Sequence, residues 1–424
     1  MVNVGNMTVR NCEISNIAVN DNHFLGSPRI DGNGITAYSD SKGDDNFENI
    51  LIDNNIIHDV GNNGILLSSG STTYSPGQAR LNEVYHFKTL KPTNNSVTRN
   101  TIYRASLLTR SGTGVFLRSV GGLVANNTIF EMPRSAVGAQ GNDNVFEFNH
   151  FYDLNRETQD SGGIYLISRS WLYRNNTLRH NFIHDTGGYF YNSSIKSYQY
   201  PYQSWGFYPD DYSSQTYVHD NVVARAPNGL AQVHAGRDNW VYDNVNSQSI
   251  THQLYAQGEW NSEHQLSLQS MWNELQMMGS WGFNSQKYYS KYPELSTIPS
   301  PEIMNQDNVY ANNSFERNIF YFTAHPDSYA YFVRFFLNSP GSKFSKNVIW
   351  NGVGESSLKV QDPEAPLNGG SSGYYTWAFW TSRGFDSDSL VADPLFVDPT
   401  SDNYFLQPES PAWALGHHNI IVPR

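Results

Sequence analysis

One short pattern recurs along this chain and limits what it can fold into: alternating apolar residues, then an asparagine, then another apolar pair. It reads Ile52-Asp-Asn-Asn55-Ile-Ile, Val97-Thr-Arg-Asn100-Thr-Ile, Val124-Ala-Asn-Asn127-Thr-Ile and Phe146-Glu-Phe-Asn149-His-Phe, and returns in the segments around Asn181 and Asn221. Asn244 and Asn347 close similar stretches. The intervals from Asn100 to Asn127, to Asn149 and to Asn181 are 27, 22 and 32 residues, and Asn221 to Asn244 is 23. The 45 residues from Asn55 to Asn100 fit two turns of such a repeat, or one with a long loop. A second pattern interleaves with the first: Gly34-Ile-Thr-Ala, Gly64-Ile-Leu-Leu, Gly114-Val-Phe-Leu, Gly163-Ile-Tyr-Leu, Gly206-Phe-Tyr-Pro and Gly229-Leu-Ala-Gln, with Ser135-Ala-Val-Gly as a variant. Each repeat therefore carries at least two short strands of period two, separated by turn residues.

Short strands on a period of 22–27 residues predict an all-β, right-handed parallel β-helix, in which coils stack at about 4.8 Å. Asparagine suits such a stack twice over. It tolerates the left-handed conformation of a turn, and its side-chain amide can hydrogen-bond from coil to coil. The single-domain solenoid is expected over 1–424, with an aromatic-rich loop at 187–205, a helical insertion at 260–279, and C-terminal coils and a cap over 301–424. In the insertion, Ser262 and Gln265 have capping-box spacing, and Leu268, Trp272, Leu275 and Met278 form a helical stripe. Ladder-like sequence already begins at Met7. A solenoid end needs a cap, so an upstream capping region is expected.

Composition narrows the partners. Charged residues are only 16% against 14% aromatic, which excludes disorder and coiled coil. The formal net charge is −12 with no basic block, so neither nucleic acid nor an anionic membrane surface is expected as a partner. Cys12 is the single cysteine, which excludes an internal disulfide and a Cys-x-x-Cys zinc site.

Side chains on one face of a β-helix line a groove parallel to its axis. Three consecutive coils place charged groups there: the segment around Asp160, the strand ending in Asp210 and Asp211, and the segment carrying His234, Arg237 and Asp238. Alternation in the second coil turns Phe207 and Pro209 inward and Tyr208 and Asp210 outward. Two carboxyl groups are what glycoside hydrolysis needs, one as acid and one as base or nucleophile. Tyr165, Tyr208 and Trp205 supply rings for sugar stacking, and Arg169, His234, Arg237 and Asp238 supply polar contacts. Asp160, Asp210 and Asp211 are the catalytic candidates. Aligning Ile164 with Phe207 leaves Asp160 and Asp210 seven residues apart along the strand direction. A bend at Ser161-Gly162-Gly163 is then needed to bring them together. The coil step favours an inverting separation.

The segments Asp160-Ser-Gly-Gly-Ile-Tyr, Arg179-His-Asn-Phe-Ile-His-Asp185, Gly206-Phe-Tyr-Pro-Asp-Asp and His234-Ala-Gly-Arg-Asp-Asn resemble glycoside hydrolase family 141 and its β-helix relatives. Those proteins carry Asp-[Ser/Thr]-Gly-Ala-Ile-Tyr, Ile-Tyr-Leu-Asp-Asp and His-Gly-Gly-Arg-Asp-Asn at corresponding points. The resemblance runs from about residue 140 to the C-terminus and includes Tyr292-Pro-Glu-Leu. It implies α-L-fucosidase or xylanase chemistry on two aspartates, which by motif position are Asp160 and one of Asp210 and Asp211. Pro209 stands where the family has Leu and Ala235 where it has Gly, and the 187–205 loop is enlarged; these departures border the groove. The expectation is a secreted or periplasmic, monomeric glycoside hydrolase acting on a plant or algal polysaccharide. No cofactor is expected, a structural calcium ion aside. Two alternatives share the fold: a polysaccharide lyase, with Arg118, Arg169, His234 or Arg237 as base or charge neutraliser, and a non-catalytic glycan-binding solenoid.

Overall fold

The computed structural model describes residues 4–17, 32–39, 47–70, 85–258, 262–305, 308–334, 337–363 and 373–424. Its strands stack into three long faces. The first sheet holds ten strands from Met7–Arg10 to Lys343–Ser345, and the second eleven from Glu13–Ile17 to Leu390–Val391. The third runs through six strands from Ile35–Ser39 to Ser204–Pro209. It then continues, across a single Phe207–Ala231 bridge, into Gln232–His234, His252–Gln257, Tyr329–Arg334 and Lys359–Gln361. Consecutive coils pair in parallel, as at Leu123–Ala125 beside Val145–Glu147. Inward-facing Val, Ile, Leu and Phe from all three faces fill one continuous core. Ile50–Asp53 pairs directly with Ser96–Thr98, so the 45-residue interval is one coil with a long loop; residues 71–84 of that loop lie outside the described residues.

The asparagines form a buried ladder at the corner between the first and second sheets. From Asn55 through Asn100, Asn127, Asn149, Asn181, Asn221, Asn244 and Asn318 to Asn347, each Nδ2 donates to the next coil's Oδ1 at 2.9–3.3 Å. Each of these side chains is at most 1% exposed. The left-handed turn sits one residue earlier than expected. Arg99, Asn126, Phe148, His180, Asp220, Asp243, Arg317 and Lys346 carry φ between 49° and 58°. Asparagine is therefore selected here for its amide, which satisfies backbone groups that the corner leaves without sheet partners. The preceding residue takes the strain, even where it is phenylalanine.

The glycine ladder has a different cause. A Cβ on Gly34, Gly64, Gly114, Gly163 or Gly206 would lie 2.5–2.8 Å from a methyl of Ile57, Ile102, Ile129, Ile183 or Val223. Glycine is the residue that lets the third face start this close to the second. Gly229 does not belong to the ladder: Phe207 pairs with Ala231, so Leu230 occupies the corresponding place.

The helical insertion is a helix over Ser262–Met277, with residues 259–261 outside the described set. Leu268, Met271, Leu275 and Met278 are buried, and Trp272 is only partly so. A second helix, Ser285–Lys291, follows it; the sequence reading had no place for it, nor for the short helices Tyr85–Thr89 and Trp377–Ser382. Tyr288 donates to the Phe87 carbonyl at 2.8 Å, and Glu294 meets the fully buried Arg174 at 2.9 Å, so the insertion packs back against earlier coils. Trp377 and Trp380 bury themselves near Tyr331 and close the last coil. The C-terminal tail instead turns back along the outside of the second sheet. Phe396, Tyr404, Leu406 and Ile420 cover Phe182, Val222, Val245, Ile319 and Val348.

Candidate active site

The third face sets the site by register. Tyr165 lies beside Tyr208 and Leu166 beside Pro209, with Asp210 directly after; its N–H still donates to the Leu166 carbonyl at 3.1 Å. Phe207 is core and Tyr208 and Asp210 face outward, as alternation predicts. Asp211 and Tyr212 then adopt φ of 39° and 68° and turn the chain off the face. That turn brings the Asp211 carboxylate onto Arg169 of the preceding coil.

Asp210 is 7% exposed and accepts three hydrogen bonds. Tyr165 Oη donates to Oδ2 at 2.6 Å; His234 Nδ1 at 2.8 Å and the Asp211 N–H at 2.8 Å share Oδ1. Burial alone would push this carboxyl up. The His234 hydrogen bond and charge, with Tyr165 and the Asp211 N–H, overcome it and hold Asp210 below the ordinary carboxylate range. Asp160 behaves oppositely. It stands at the rim with φ of 53°, its N–H on the Gln203 carbonyl, and its carboxylate takes the Tyr208 hydroxyl at 3.0 Å. The residue is exposed as a whole, but its carboxylate end turns in against the tyrosines. That loss of water, and then the negative charge of Asp210, raise its pKa. Burial and the same charge also raise Asp211, against His234 and Arg169.

The two tyrosines cross between these carboxyls. Tyr165, from the coil of Asp160, donates to Asp210; Tyr208, from the coil of Asp210, donates to Asp160. Their rings lie 5.1 Å apart. Burial, with the facing carboxylates, holds both hydroxyls protonated well past their ordinary pKa. The strand beginning at Ser161 runs through the glycines without a turn, so a tyrosine pair, not the expected bend, connects the two aspartates.

Trp205 borders this cluster, with its ring 5.1 Å from Tyr208, but it is 2% exposed and offers no open face for a sugar. Open rings come from the aromatic loop. There Phe190–Asn192 and Ser197–Gln199 form an antiparallel hairpin that presents Tyr191, Tyr198 and Tyr200 to solvent. Tyr189 N–H bonds the Thr158 carbonyl, which fixes the hairpin beside Asp160. Arg237 and Asp238 are not part of the cluster. The Arg237 guanidinium is buried and donates to the Asn308 carbonyl at 2.6 Å. Asp238 pairs with Arg174 at 3.1 Å and Asn312 at 3.0 Å. Both brace the insertion, because Ala235 at φ 54° has already turned the chain away from the face.

Asp210, Asp211 and His234 are close enough to hold a metal ion, with ligand atoms within 4.8 Å of one another. Yet the His234 nitrogen in that set faces an acceptor-only carboxylate and so carries a proton, and Arg169 already neutralises Asp211. A cation would have to displace both. The sequence reading missed Arg134, which lies over the Tyr165 ring at 5.2 Å and donates to the Asp160 carbonyl at 3.1 Å. It also missed Tyr255, which extends the column of Tyr165 and Tyr208 by register; the alternation in His252-Gln-Leu-Tyr255-Ala-Gln carried that signal.

No helix among the described residues is long and apolar enough to cross a membrane. No curated protein matches the chain. Among solved structures, one described as a glycoside hydrolase is similar at 14% identity with a TM-score of 0.30. The likeness covers 46% of this chain and 30% of that one, too slight to bear on function. The family model described as right handed beta helix region matches residues 1–246, more than half of the sequence and all of the coils that carry the Asp160–Asp210–His234 cluster. By that match and by its three stacked parallel sheets, the chain belongs to the right-handed β-helix family.

Proposed function

We propose that this protein is a glycoside hydrolase in which Asp160 is the general acid and Asp210 the general base. The observation that carries the reading is the crossed pair of hydrogen bonds, Tyr165 to Asp210 and Tyr208 to Asp160, which sets two carboxyls of one groove in opposed environments: the pKa of Asp160 is pushed up and that of Asp210 is held down. Environments that separate two carboxyl pKa values assign acid and base between them. A carboxylate offers about four lone pairs; Asp210 uses three, which leaves one on Oδ2 for a water. That water attacks the anomeric carbon while Asp160 protonates the leaving oxygen, the inverting course. His234, Tyr165 and the Asp211 N–H keep Asp210 ionised and in place, and Arg169 holds the Asp211 carboxylate. The motif resemblance to family 141 favours fucosyl or xylosyl linkages in an extracellular polysaccharide.

The lyase reading loses support because its candidate groups are engaged. Arg118 donates to the Ser69 carbonyl and Tyr173, Arg169 to Asp211, Arg237 to the Asn308 carbonyl, and His234 to Asp210. The test is a screen of xylan, fucosylated pectin fragments and algal polysaccharides, with released sugars identified and the first-formed anomer read by proton NMR. Reducing sugar without unsaturated uronide, lost in Asp210→Asn, is the expected result. Absorbance of an unsaturated product, or release unaffected by Asp210→Asn, overturns the proposal.

A further inference from the structure

The third face continues past His234. Tyr255 stacks on Phe332 at 3.9 Å and meets Trp205 edge-on at 5.6 Å, so an aromatic floor runs on from the aspartates. By register His252 falls in the row of Trp205, two coils further along. It forms one wall of a cavity of about 480 Å3, shared with Thr251, His325, Asp327, Tyr329 and Gln361. Coil steps of about 4.8 Å put this cavity roughly 10–14 Å along the axis from Trp205, the reach of an oligosaccharide rather than of a single sugar.

The polar groups of the cavity specify a ligand. His252 is 9% exposed, and burial lowers its pKa to about 4, so the ring is neutral at ordinary pH. Its Nε2 lies 2.5 Å from the side-chain amide oxygen of Gln361, an acceptor, so Nε2 bears the proton. Nδ1 is then a buried lone-pair acceptor, and among the described residues nothing donates to it. Buried acceptors are costly to leave unmet. The carboxylate of Asp327 is exposed and, among the described residues, makes no hydrogen bond. Ile250, Pro326 and the Tyr329 ring supply apolar surface. Among the described residues, no lysine or arginine lines the cavity. A hydroxyl-rich ring supplies what these groups accept, whereas a uronate would bring its carboxylate to Asp327 with no lysine or arginine to receive it.

We propose that this cavity is a distal subsite for one neutral sugar unit of a chain whose cleaved bond lies at Asp160 and Asp210. The inference rests on the hydrolase reading for the cleaved bond, but the binding itself can be measured without turnover. Titration calorimetry on the full chain would compare xylohexaose, cellohexaose and mannohexaose with hexagalacturonate. The variants are His252→Phe, which keeps the ring and removes the acceptor, Gln361→Leu, Asp327→Ala at the exposed rim, and Asp210→Asn as the catalytic control. At least one neutral hexaose should bind. Each cavity variant should weaken it about tenfold, the loss of one good hydrogen bond to a ligand, while Asp210→Asn abolishes hydrolysis and leaves that cavity-dependent binding in place. Tighter binding of hexagalacturonate, no neutral hexaose binding, or binding indifferent to Asp327→Ala and Gln361→Leu overturns the subsite. Cavity-dependent binding with no hydrolysis in any screen would overturn the hydrolase reading alone.

Discussion

The corner between the first and second sheets and the outer groove of the third face solve different problems with the same coils. At the corner, nine asparagines repeat one arrangement from Asn55 to Asn347, each satisfying the next. On the groove, no two coils match: Asp160 with Tyr165, Tyr208 with Asp210, then His234, then Tyr255 and His252. Repetition stabilises because every rung meets its equal. Chemistry needs the opposite, unlike groups on adjacent rungs. Substitutions on the two lines should therefore fail in different currencies, one in rate and the other in stability.

The largest effect belongs to the groove. Asp160→Asn and Asp210→Asn should each fold and lose at least about 100-fold in kcat, the scale of a positioned acid or base. Full activity in both, with circular dichroism unchanged, would remove the distinction between the two lines. On the ladder, Asn181→Ala takes the acceptor from Asn149 and the donor from the Phe146 carbonyl. Urea unfolding should show a loss of about 2–3 kcal/mol from the buried groups left unmet, with kcat of the folded fraction unchanged. A kcat that falls in parallel would mean that the corner and groove are coupled.

Smaller changes sharpen the picture. Tyr198→Ala and Tyr200→Ala remove exposed rings beside Asp160 and should weaken substrate binding by about 1 kcal/mol each if the ring stacks on sugar; the readout is KM with kcat preserved. The pH profile of kcat/KM should rise through the lowered Asp210 pKa and fall through the raised Asp160 pKa. Tyr208→Phe removes a hydrogen bond that favours ionised Asp160. Its pKa goes up further, so the alkaline limb should move to higher pH by a fraction of a unit; movement downward would reassign the acid. Smallest of all, Asp238→Asn should leave kcat and KM where they are, since Asp238 serves Arg174 and Asn312.

The two lines also differ in how much of them the sequence revealed. Asparagines spaced by 22 to 32 residues gave away the coil, because the amide that builds the ladder is the residue that repeats. The left-handed position went unrecognised: its occupants, from Arg99 to Phe148 to Lys346, share a backbone angle and no side-chain chemistry. In the groove, alternation oriented Asp210, and neighbouring coils brought it to His234. Arg237 and Asp238 belong to the same short segment, yet one positive-φ residue, Ala235, sends them elsewhere. The link through Tyr165 and Tyr208 depends on where ring tips reach across a register, which spacing along one strand cannot encode. The pocket at His252 draws on residues as distant as Gln361, joined only once the insertion is folded out of the way.

The returning tail changes how such a stack comes apart. A solenoid whose coils touch only their neighbours loses its end first and shortens rung by rung. Here Asp402 clasps Arg225, His418 meets Asp220 and the Ile421 carbonyl meets His180, contacts that leap 177, 198 and 241 residues back along the chain. The last segment is thus buckled to the middle of the molecule. The terminal coils cannot fray until that strap lets go, and a stack that would otherwise melt gradually is made to give way as one piece.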